Sequence, residues 1–234
     1  MNESSEYRLV LVRHAKVAAP EDLIAPLESI VRQLQRLNAD LFAFSGHSPA
    51  MREVPVFEGE KSWVPAFIST SAIHWNFGRE PGDPTHSIVF FNSYEEDRVA
   101  VLRLSFVSGE VEATCPGLIF ELRLGTTAAG PRDSGRSKHL ITLFTILTDA
   151  LLPDFGCIEL PGHPDPKEFP SRIEAGWLTY FSPSMAPPMP LKPPAILEPL
   201  SSGMAVLATP ELALETYGDL SSQIGAIRDA LKAV

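Results

Sequence analysis

The residue types that most often carry chemistry are present in this sequence, but few of them fall at a spacing that a known site requires. The six histidines, at positions 14, 47, 74, 86, 139 and 163, show no spacing that would place two metal ligands on one helix face. Neither cysteine forms a Cys-x-x-Cys pair, and the sequence contains no Walker loop and no G-x-G-x-x-G fingerprint. We therefore expect no metal site and no bound cofactor.

Two polar groups stand out against that background. Arg13 and His14 directly follow the apolar run 9–12, which predicts a strand that ends in two functional side chains. The acidic run Glu95-Glu96-Asp97 falls between two strand-like runs, where the tip of a hairpin is expected. A carboxylate run at such a tip is usually a solvated turn, and it is better suited to charge contacts than to proton transfer.

The run Leu9-Val-Leu-Val-Arg-His-Ala-Lys16 resembles the strand-plus-Arg-His signature of the histidine phosphatase superfamily. The resemblance implies that His14 is a phosphorylated nucleophile and that Arg13 binds the phosphoryl group through bidentate hydrogen bonds. The family also uses a second histidine after a late strand, whereas the last histidine here is His163, in a proline-rich loop. The alternative interpretation is that Arg13 and His14 simply end a strand.

The chain is acidic along its whole length. Its 234 residues carry a formal net charge of −10, and the excess is spread, with 16 acidic and 10 basic residues in 1–117 and 13 acidic and 9 basic residues in 118–234. A surface of this sign repels nucleic acid and anionic membranes and attracts basic partners, although many proteins are equally acidic for solubility alone. We expect neither nucleic acid nor membrane as a partner.

Cysteine content and the first residues bear on the compartment. Cys115 and Cys157 are too few for a disulfide framework, and both lie among apolar neighbours, so we expect two reduced core residues. Residues 1–6 are polar and acidic, and no apolar run approaches the roughly 20 residues that a membrane span needs. These features predict a cytoplasmic protein.

Strand-like and helix-like periodicities follow one another irregularly. Residues 86–124 predict an antiparallel meander at the centre of a sheet, and in its last strand Glu121 and Arg123 are expected to face solvent. Apolar stripes predict an amphipathic helix over 23–37, a buried helix over 136–152 and a final helix that starts near Thr209.

Further strands are expected at 7–12, 41–44, 157–160, 174–183 and 204–208. The seven prolines of 183–199 predict little regular structure there. Because strands and helices do not alternate as βαβ units, the pattern indicates a single α+β domain over residues 1–234, with a mostly antiparallel central sheet and helices packed on it.

A second resemblance spans more of the chain. Gly176-Trp-Leu-Thr-Tyr-Phe-Ser182 follows the acidic Glu174, and an irregular aromatic segment surrounds Trp75. Together with the early helix and the strand-rich middle, these features resemble the immunity protein 52 family. Its members are α+β proteins of bacterial polymorphic-toxin systems, associated with toxins of restriction-endonuclease-like fold, including antibacterial DNase effectors of type VI secretion. Trp177 itself is expected to pack in the core.

The resemblance and the charge together predict an immunity protein, not an enzyme, whose acidic surface occludes the basic site of a cognate nuclease toxin. The partner-binding surface is expected to include the hairpin-tip residues Glu95, Glu96 and Asp97, together with Glu80, Asp83 and Trp75 from the preceding irregular segment. The alternative is a histidine-phosphatase-like enzyme that uses His14.

Overall fold

The structure, a computed structural model, describes residues 6–15, 17, 20–46, 85–92, 100–107, 117–130, 135–161, 175–185, 195–212 and 217–231. Within them, nine strands form one sheet in which every neighbouring pair is antiparallel. In chain order the strands are β1 (Tyr7–Arg13), β2 (Ser45–Gly46), β3 (Thr85–Phe91), β4 (Ala100–Val107), β5 (Leu118–Leu124), β6 (Phe155–Glu159), β7 (Leu178–Phe181), β8 (Ile196–Leu200) and β9 (Gly203–Leu207).

Three α-helices accompany the sheet in these ranges: α1 (Ile24–Leu37), α2 (Gly135–Leu151) and α3 (Tyr217–Leu231). A short 3-10 turn, Pro20–Leu23, leads into α1. The predicted α+β class with a mostly antiparallel sheet is therefore confirmed. In the described part of the chain, no helix is long and apolar enough to span a bilayer.

The centre of the sheet is β1 and not the meander that the sequence predicts there. The strand order is β2-β3-β4-β5-β1-β6-β7-β9-β8, so that four strands lie on either side of β1. Strands β3, β4 and β5 do lie side by side, but they form one half of the sheet. β1 occupies the middle because its side chains are apolar on both faces apart from Arg8 and the last residue, Arg13. This pattern suits a strand that is buried on both sides.

One face of the sheet carries the main hydrophobic core. Alternate residues of β4 and β5 are buried on it, as their period-two pattern predicts: Ala100, Leu102, Leu104 and Phe106 from β4, and Leu118, Phe120, Leu122 and Leu124 from β5. Helices α1 and α2 pack against each other over the same core, and α3 contributes Leu220, Ile224 and Ile227 to it. In α1 the buried stripe is Leu27, Ile30, Val31 and Leu34, so the predicted amphipathic helix is confirmed.

The opposite face holds a smaller apolar cluster, made of Val10, Val12, Ile119, Phe155 and Cys157. Cys157 is a reduced, buried thiol, as predicted, whereas Cys115 lies outside the described residues. Glu121 lies on this face too, and the prediction that it faces solvent is wrong, since only 2% of it is exposed. Its carboxylate is buried because two arginines hold it there, whereas Arg123 is half-buried.

The segment before β7 runs unusually close to β6. A Cβ on residue 176 would overlap the carbonyl oxygen of Ile158, so this approach requires glycine. The backbone N–H of Trp177 then donates to the Ile158 carbonyl oxygen at 2.8 Å, and its indole N–H donates to the carbonyl oxygen of Thr209 at 3.1 Å. The side chain of Trp177 is fully buried, which confirms the predicted core position.

The proline-rich span contains a strand, contrary to the sequence prediction. β8 includes Pro199, and it forms one end of the sheet with β9 as its neighbour. An edge strand tolerates proline because one row of its N–H groups points away from the ladder. Residues 186–194 lie outside the described residues, so the prediction is wrong at 196–199 and untested over most of the remaining span.

Two other predicted elements are replaced by local turns. Residues 39–42 form a turn where a strand was expected, and the Asn38 Oδ1 accepts a hydrogen bond from the Leu41 N–H at 3.0 Å. Thr209 does not start a helix, because its hydroxyl donates to the carbonyl oxygen of Glu211 at 2.8 Å within a bend. Both cases show a side chain hydrogen-bonding to nearby backbone in competition with regular structure.

Candidate functional site

The six residues predicted to contact a partner all lie outside the described residues: Trp75, Glu80, Asp83, Glu95, Glu96 and Asp97. Their role stays a prediction. The structure does describe the two strands that flank the acidic run. β3 and β4 pair antiparallel from Thr85–Val107 to Phe91–Val101, as the predicted hairpin requires.

Asn92 fastens the base of this hairpin. Its backbone N–H donates to the Ala100 carbonyl oxygen at 3.2 Å, and its Oδ1 accepts from the Ala100 N–H at 2.7 Å. Its Nδ2 donates to the carbonyl oxygen of Leu41 at 2.5 Å, which ties the hairpin to the turn before β2. These bonds fix the two positions at which the connecting segment leaves β3 and enters β4. If that segment binds a partner, a fixed base reduces the conformational entropy lost on binding.

His14 lies where β1 ends, beside the residue that precedes β6. The carboxylate oxygen Oδ2 of Asp154 accepts from the backbone N–H of His14 at 2.6 Å and lies 3.1 Å from the imidazole Nδ1. The backbone of Asp154 is held as well, since its N–H donates to the Val12 carbonyl oxygen and its own carbonyl accepts from the Ser182 N–H, both at 2.9 Å. Residues at the ends of β1, β6 and β7 therefore orient the imidazole.

In many enzymes a carboxylate hydrogen-bonded to an imidazole orients it as a general base. The side chain of His14 is 55% exposed, so a solute could reach it. A phosphatase mechanism would also need Arg13 at the phosphoryl group. Here the Arg13 Nη1 donates to the carbonyl oxygen of Leu151 at 3.4 Å, at the last residue of α2. It thereby satisfies one of the carbonyl groups that a helix C-terminus leaves without an intrahelical partner.

A buried group of charges on the second face of the sheet was missed by the sequence analysis. The Arg8 Nε donates to Glu121 Oε1 at 2.7 Å, and its Nη1 donates to Glu159 Oε2 at 2.9 Å. The Arg123 Nε donates to the same oxygen of Glu121 at 2.7 Å. We call these four residues the ion cluster. Because Arg8 lies on β1 and its partners on β5 and β6, the ion cluster joins the three central strands.

A weak signal for this cluster was present in the sequence. Arg8 and Glu159 are single charges within apolar strand runs, and a charge in a buried strand is rarely without a partner. The partners are 113 and 151 positions away along the chain, however. The pairing follows only from the strand order β5-β1-β6, which local patterns do not reveal.

The two guanidinium groups control the acidity of Glu121. Burial by itself raises the pKa of Glu121, but the charges and hydrogen bonds of Arg8 and Arg123 together outweigh burial and hold this pKa below the ordinary carboxyl value. A carboxyl whose pKa is lower in the folded state stabilises the fold at pH values above its unfolded pKa. That stabilisation is lost as the pH falls through the folded pKa.

We therefore expect the free energy of unfolding to fall when the pH is lowered below about 4.3, the ordinary pKa of a glutamate. Glu121→Gln should have a lower free energy of unfolding than the parent at neutral pH. This difference should become smaller in acid, because the parent loses the stabilisation from the Glu121 carboxylate whereas the variant has no carboxylate there to protonate. Urea unfolding of both proteins between about pH 7 and pH 3 measures this difference. Glu21→Gln, at an exposed position, is the matched control. A stability difference between the parent and Glu121→Gln that is the same at every pH would contradict a lowered pKa of Glu121 in the folded state.

Within the described ranges, no three His, Cys, Asp or Glu side chains gather into a group that could hold a metal ion. Two groups of charged side chains adjoin β1: the His14–Asp154 pair at its end, and the ion cluster centred on Arg8. They are an exposed imidazole with an oriented partner and a buried arrangement whose contacts tie strands together.

No protein-family model and no curated protein sequence matches this chain. Among solved structures, the Pseudomonas aeruginosa T6SS protein PA0821 is similar to it, with a TM-score of 0.53 and 12% sequence identity over 97% of this chain and 75% of that chain. At this identity the likeness shows the fold alone, so the resemblance to the immunity protein 52 family stays a prediction.

Proposed function

We propose that this protein is a cytoplasmic immunity protein of a bacterial type VI secretion system. In this proposal it binds a cognate antibacterial nuclease toxin and neutralises it without catalysing a reaction. The observation that carries the proposal is the likeness of fold to PA0821, a protein that its name assigns to type VI secretion, across 97% of this chain. The name of that protein mentions neither a toxin nor a nuclease. Those two parts rest on the resemblance to the immunity protein 52 family, which is carried together by residues 174–182, the aromatic segment around Trp75, the early helix and the strand-rich middle.

Charge supports a nuclease as the target. A site that cleaves DNA must hold phosphate groups and therefore carries positive charge, whereas this chain carries a net charge of −10. Opposite charges accelerate the encounter of two proteins and select their relative orientation. An acidic protein that occupies the basic cleft would exclude DNA from it by both charge and volume. Such an encounter takes place in the compartment that holds the chromosome, which is why we place it in the cytoplasm.

The second candidate function is a phosphatase that uses His14. The oriented imidazole favours it, whereas the contact between Arg13 and the end of α2 favours a structural role for Arg13, the residue that would bind the phosphoryl group. Assays with a generic phosphomonoester on the parent and on His14→Ala separate the two functions. We expect no turnover by either protein. Turnover by the parent that His14→Ala abolishes would support the phosphatase.

Replacing Glu95, Glu96 and Asp97 together by alanine is expected to slow association with the nuclease toxin and to weaken the salt dependence of the association rate. Charges at the rim of an interface act mainly on the rate of encounter, so folding should be unchanged. Stopped-flow mixing with the candidate nuclease, at two salt concentrations, measures both effects.

The control for this triple variant changes the net charge equally at another place. Glu21, Asp40 and Glu211 are all exposed, and replacing them by alanine removes the same charge from other parts of the surface. We expect a smaller effect from this control. Equal slowing by the two triple variants would mean that net charge matters and that the predicted hairpin tip does not contact the toxin.

A further inference from the structure

The backbone of Leu152 is in a conformation that leucine rarely adopts. Its φ is 48°, and among the residues that the structure describes it is the one non-glycine residue with a positive φ. In the left-handed region the Cβ of an L-amino acid lies too close to the following carbonyl oxygen. Such a position is therefore usually occupied by glycine, and sometimes by asparagine.

The left-handed conformation ends α2. The N–H of Leu152 donates to the carbonyl oxygen of Thr148 at 2.9 Å, which is the bond that a left-handed residue makes just after a helix. The next residue, Pro153, disfavours the helical conformation at Leu152, so the helix stops there. A glycine would make the same turn without a steric conflict. The fold therefore accounts for the turn but not for the leucine.

The side chain of Leu152 contributes little to the core. It is 67% exposed, the highest value among the large apolar side chains in the described ranges. A single exposed leucine needs no explanation by itself. Here, however, an apolar side chain is presented to water on a backbone that its own Cβ strains, and neither cost is offset within the fold. Violations of local preference of this kind are concentrated at functional sites.

Carboxylates lie on both sides of this leucine along the chain. Asp149, in the last turn of α2, is exposed, and its two carboxylate oxygens accept from the Ser201 hydroxyl at 2.6 and 2.8 Å. Asp154, the partner of the imidazole described above, has a side chain that is 32% exposed. Burial is the largest cause of the raised pKa of Tyr180, and the charges of Asp149 and Asp154 both add to it, so both lie near its hydroxyl. We call Asp149, Leu152 and Asp154 the α2-end surface.

Hydrogen bonds to neighbouring strands hold this turn in place. The Arg13 guanidinium donates to the carbonyl oxygen of Leu151, directly before the left-handed residue. On the other side, the Asp154 N–H donates to the Val12 carbonyl oxygen, and the Asp154 carbonyl accepts from the Ser182 N–H. A side chain on a fixed backbone loses less entropy when it binds than one on a mobile loop.

We propose that Leu152 inserts into an apolar pocket of a partner protein whose basic groups lie beside Asp149 and Asp154. The inference rests on the proposed function, in which the partner is the nuclease toxin, and it names a surface of this chain that the toxin contacts. Charge selects such a partner, because a cleft that binds DNA carries basic groups and the two carboxylates complement them. An apolar anchor surrounded by polar groups is the usual arrangement of a protein interface.

The α2-end surface lies at the opposite end of the sheet from the predicted hairpin tip. Through the strand register, the ends of β3 and β4 that the hairpin joins align with the start of β1, whereas Asp154 lies beside its end. The seven residues of β1 span about 23 Å. An interface that buries about 800 Å² on each partner is about 28 Å across, so one toxin can contact both places.

Leu152→Asn and Leu152→Gly test the inference, because both new residues tolerate a left-handed backbone. Each should weaken equilibrium binding of the candidate nuclease by about tenfold or more, since a buried apolar contact is lost. Titration calorimetry measures this change. The melting temperature of the unbound variants should not fall, because the backbone strain is relieved. A lower melting temperature for both variants would mean that Leu152 serves the fold, which overturns the inference.

Two controls separate the α2-end surface from the rest of the molecule. Leu197→Asn makes the same change at a leucine that is 37% exposed on β8, and it should bind like the parent. Asp149→Asn should slow association and weaken its salt dependence. Glu211→Gln should not, because the neighbouring Leu212 is bonded to Ser137 at the opposite end of α2.

The outcomes distinguish this inference from the proposed function. If the parent binds the nuclease and both Leu152 variants bind as tightly, the α2-end surface is not the contact, and the proposed function stands. If Leu197→Asn weakens binding as much as Leu152→Asn does, the effect is not specific to this surface, and the inference is likewise overturned. A parent that does not bind the nuclease at all overturns the proposed function, and the contact inferred here with it.

Discussion

Arg8→Met is expected to lower the free energy of unfolding by about 3–5 kcal/mol. Arg8 is buried and donates to the carboxylates of both Glu121 and Glu159 at 2.7 and 2.9 Å. Methionine occupies a similar volume, but it withdraws from both buried carboxylates the guanidinium that they share. The cost of leaving buried charge less well compensated exceeds the gain from burying an apolar side chain. Urea unfolding near neutral pH measures the change.

Two further variants separate the ion cluster from a general effect of charge. Arg8→Lys keeps the positive charge but has no planar fork with which to reach two carboxylates, so its loss should be smaller than that of Arg8→Met. Arg32→Met removes an exposed cation from α1 and should change stability by no more than about 0.5 kcal/mol. A loss for Arg8→Met as small as that for Arg32→Met would contradict the role given to the ion cluster.

Arg136→Met is expected to lower the free energy of unfolding by about 2–4 kcal/mol, because it leaves one buried and two part-buried acceptors without their donor. Arg136 is 4% exposed at the start of α2. Its guanidinium donates to the carbonyl oxygen of Gly130 at 2.9 and 3.3 Å, to that of Thr126 at 3.1 Å and to the hydroxyl of Tyr7 at 3.1 Å. It also lies 5.5 Å from the centre of the Tyr7 ring, within reach of a cation–π contact.

Lys138→Met is the matched control for this prediction. Lys138 is an exposed cation two residues further along α2, and its replacement should leave stability within about 0.5 kcal/mol of the parent. Arg136→Lys should lie between the two, since lysine keeps the charge but cannot serve three acceptors in the same geometry. Equal stability of the Arg136→Met and Lys138→Met variants would show that the turn after β5 does not depend on this side chain.

The parts of the fold that local patterns determine could be predicted from the sequence. The alternation in β4 and β5 identified the side chains that face the core, and the stripe of α1 identified its buried face. The predicted core position of Trp177 is confirmed, and it agrees with the high average burial of tryptophan in proteins.

The parts that depend on strand order could not be predicted. Placing β1 between β5 and β6 joins residues more than a hundred positions apart, and this long-range pairing buries Arg8 with Glu121. The alternation in β5 places Glu121 on the face opposite the main core. That face is assumed to contact solvent, so Glu121 is predicted to be exposed. In this sheet the second face is buried around β1, so polar residues at that place must find partners there.

In the candidate site, too, the local features could be predicted and the long-range contacts could not. That His14 follows a strand could be predicted from the apolar run before it, but the Asp154 that orients it comes from a distant turn. The prediction of little regular structure around Pro199 is wrong for a related reason. Proline argues against a strand in general, and only the position of β8 at the edge of the sheet makes it acceptable.

An inhibition titration is the most direct test of the proposal that this protein neutralises a nuclease by occupying its basic cleft. The nuclease domain of a candidate toxin, sought among the genes next to the one that encodes this chain, is incubated with plasmid DNA and rising amounts of the purified protein, with the heat-unfolded protein as control. We expect cleavage to fall in proportion to the added protein and to stop near equimolar amounts, and we expect the unfolded protein to have no effect. Cleavage that continues unchanged in a large excess of folded protein would contradict it.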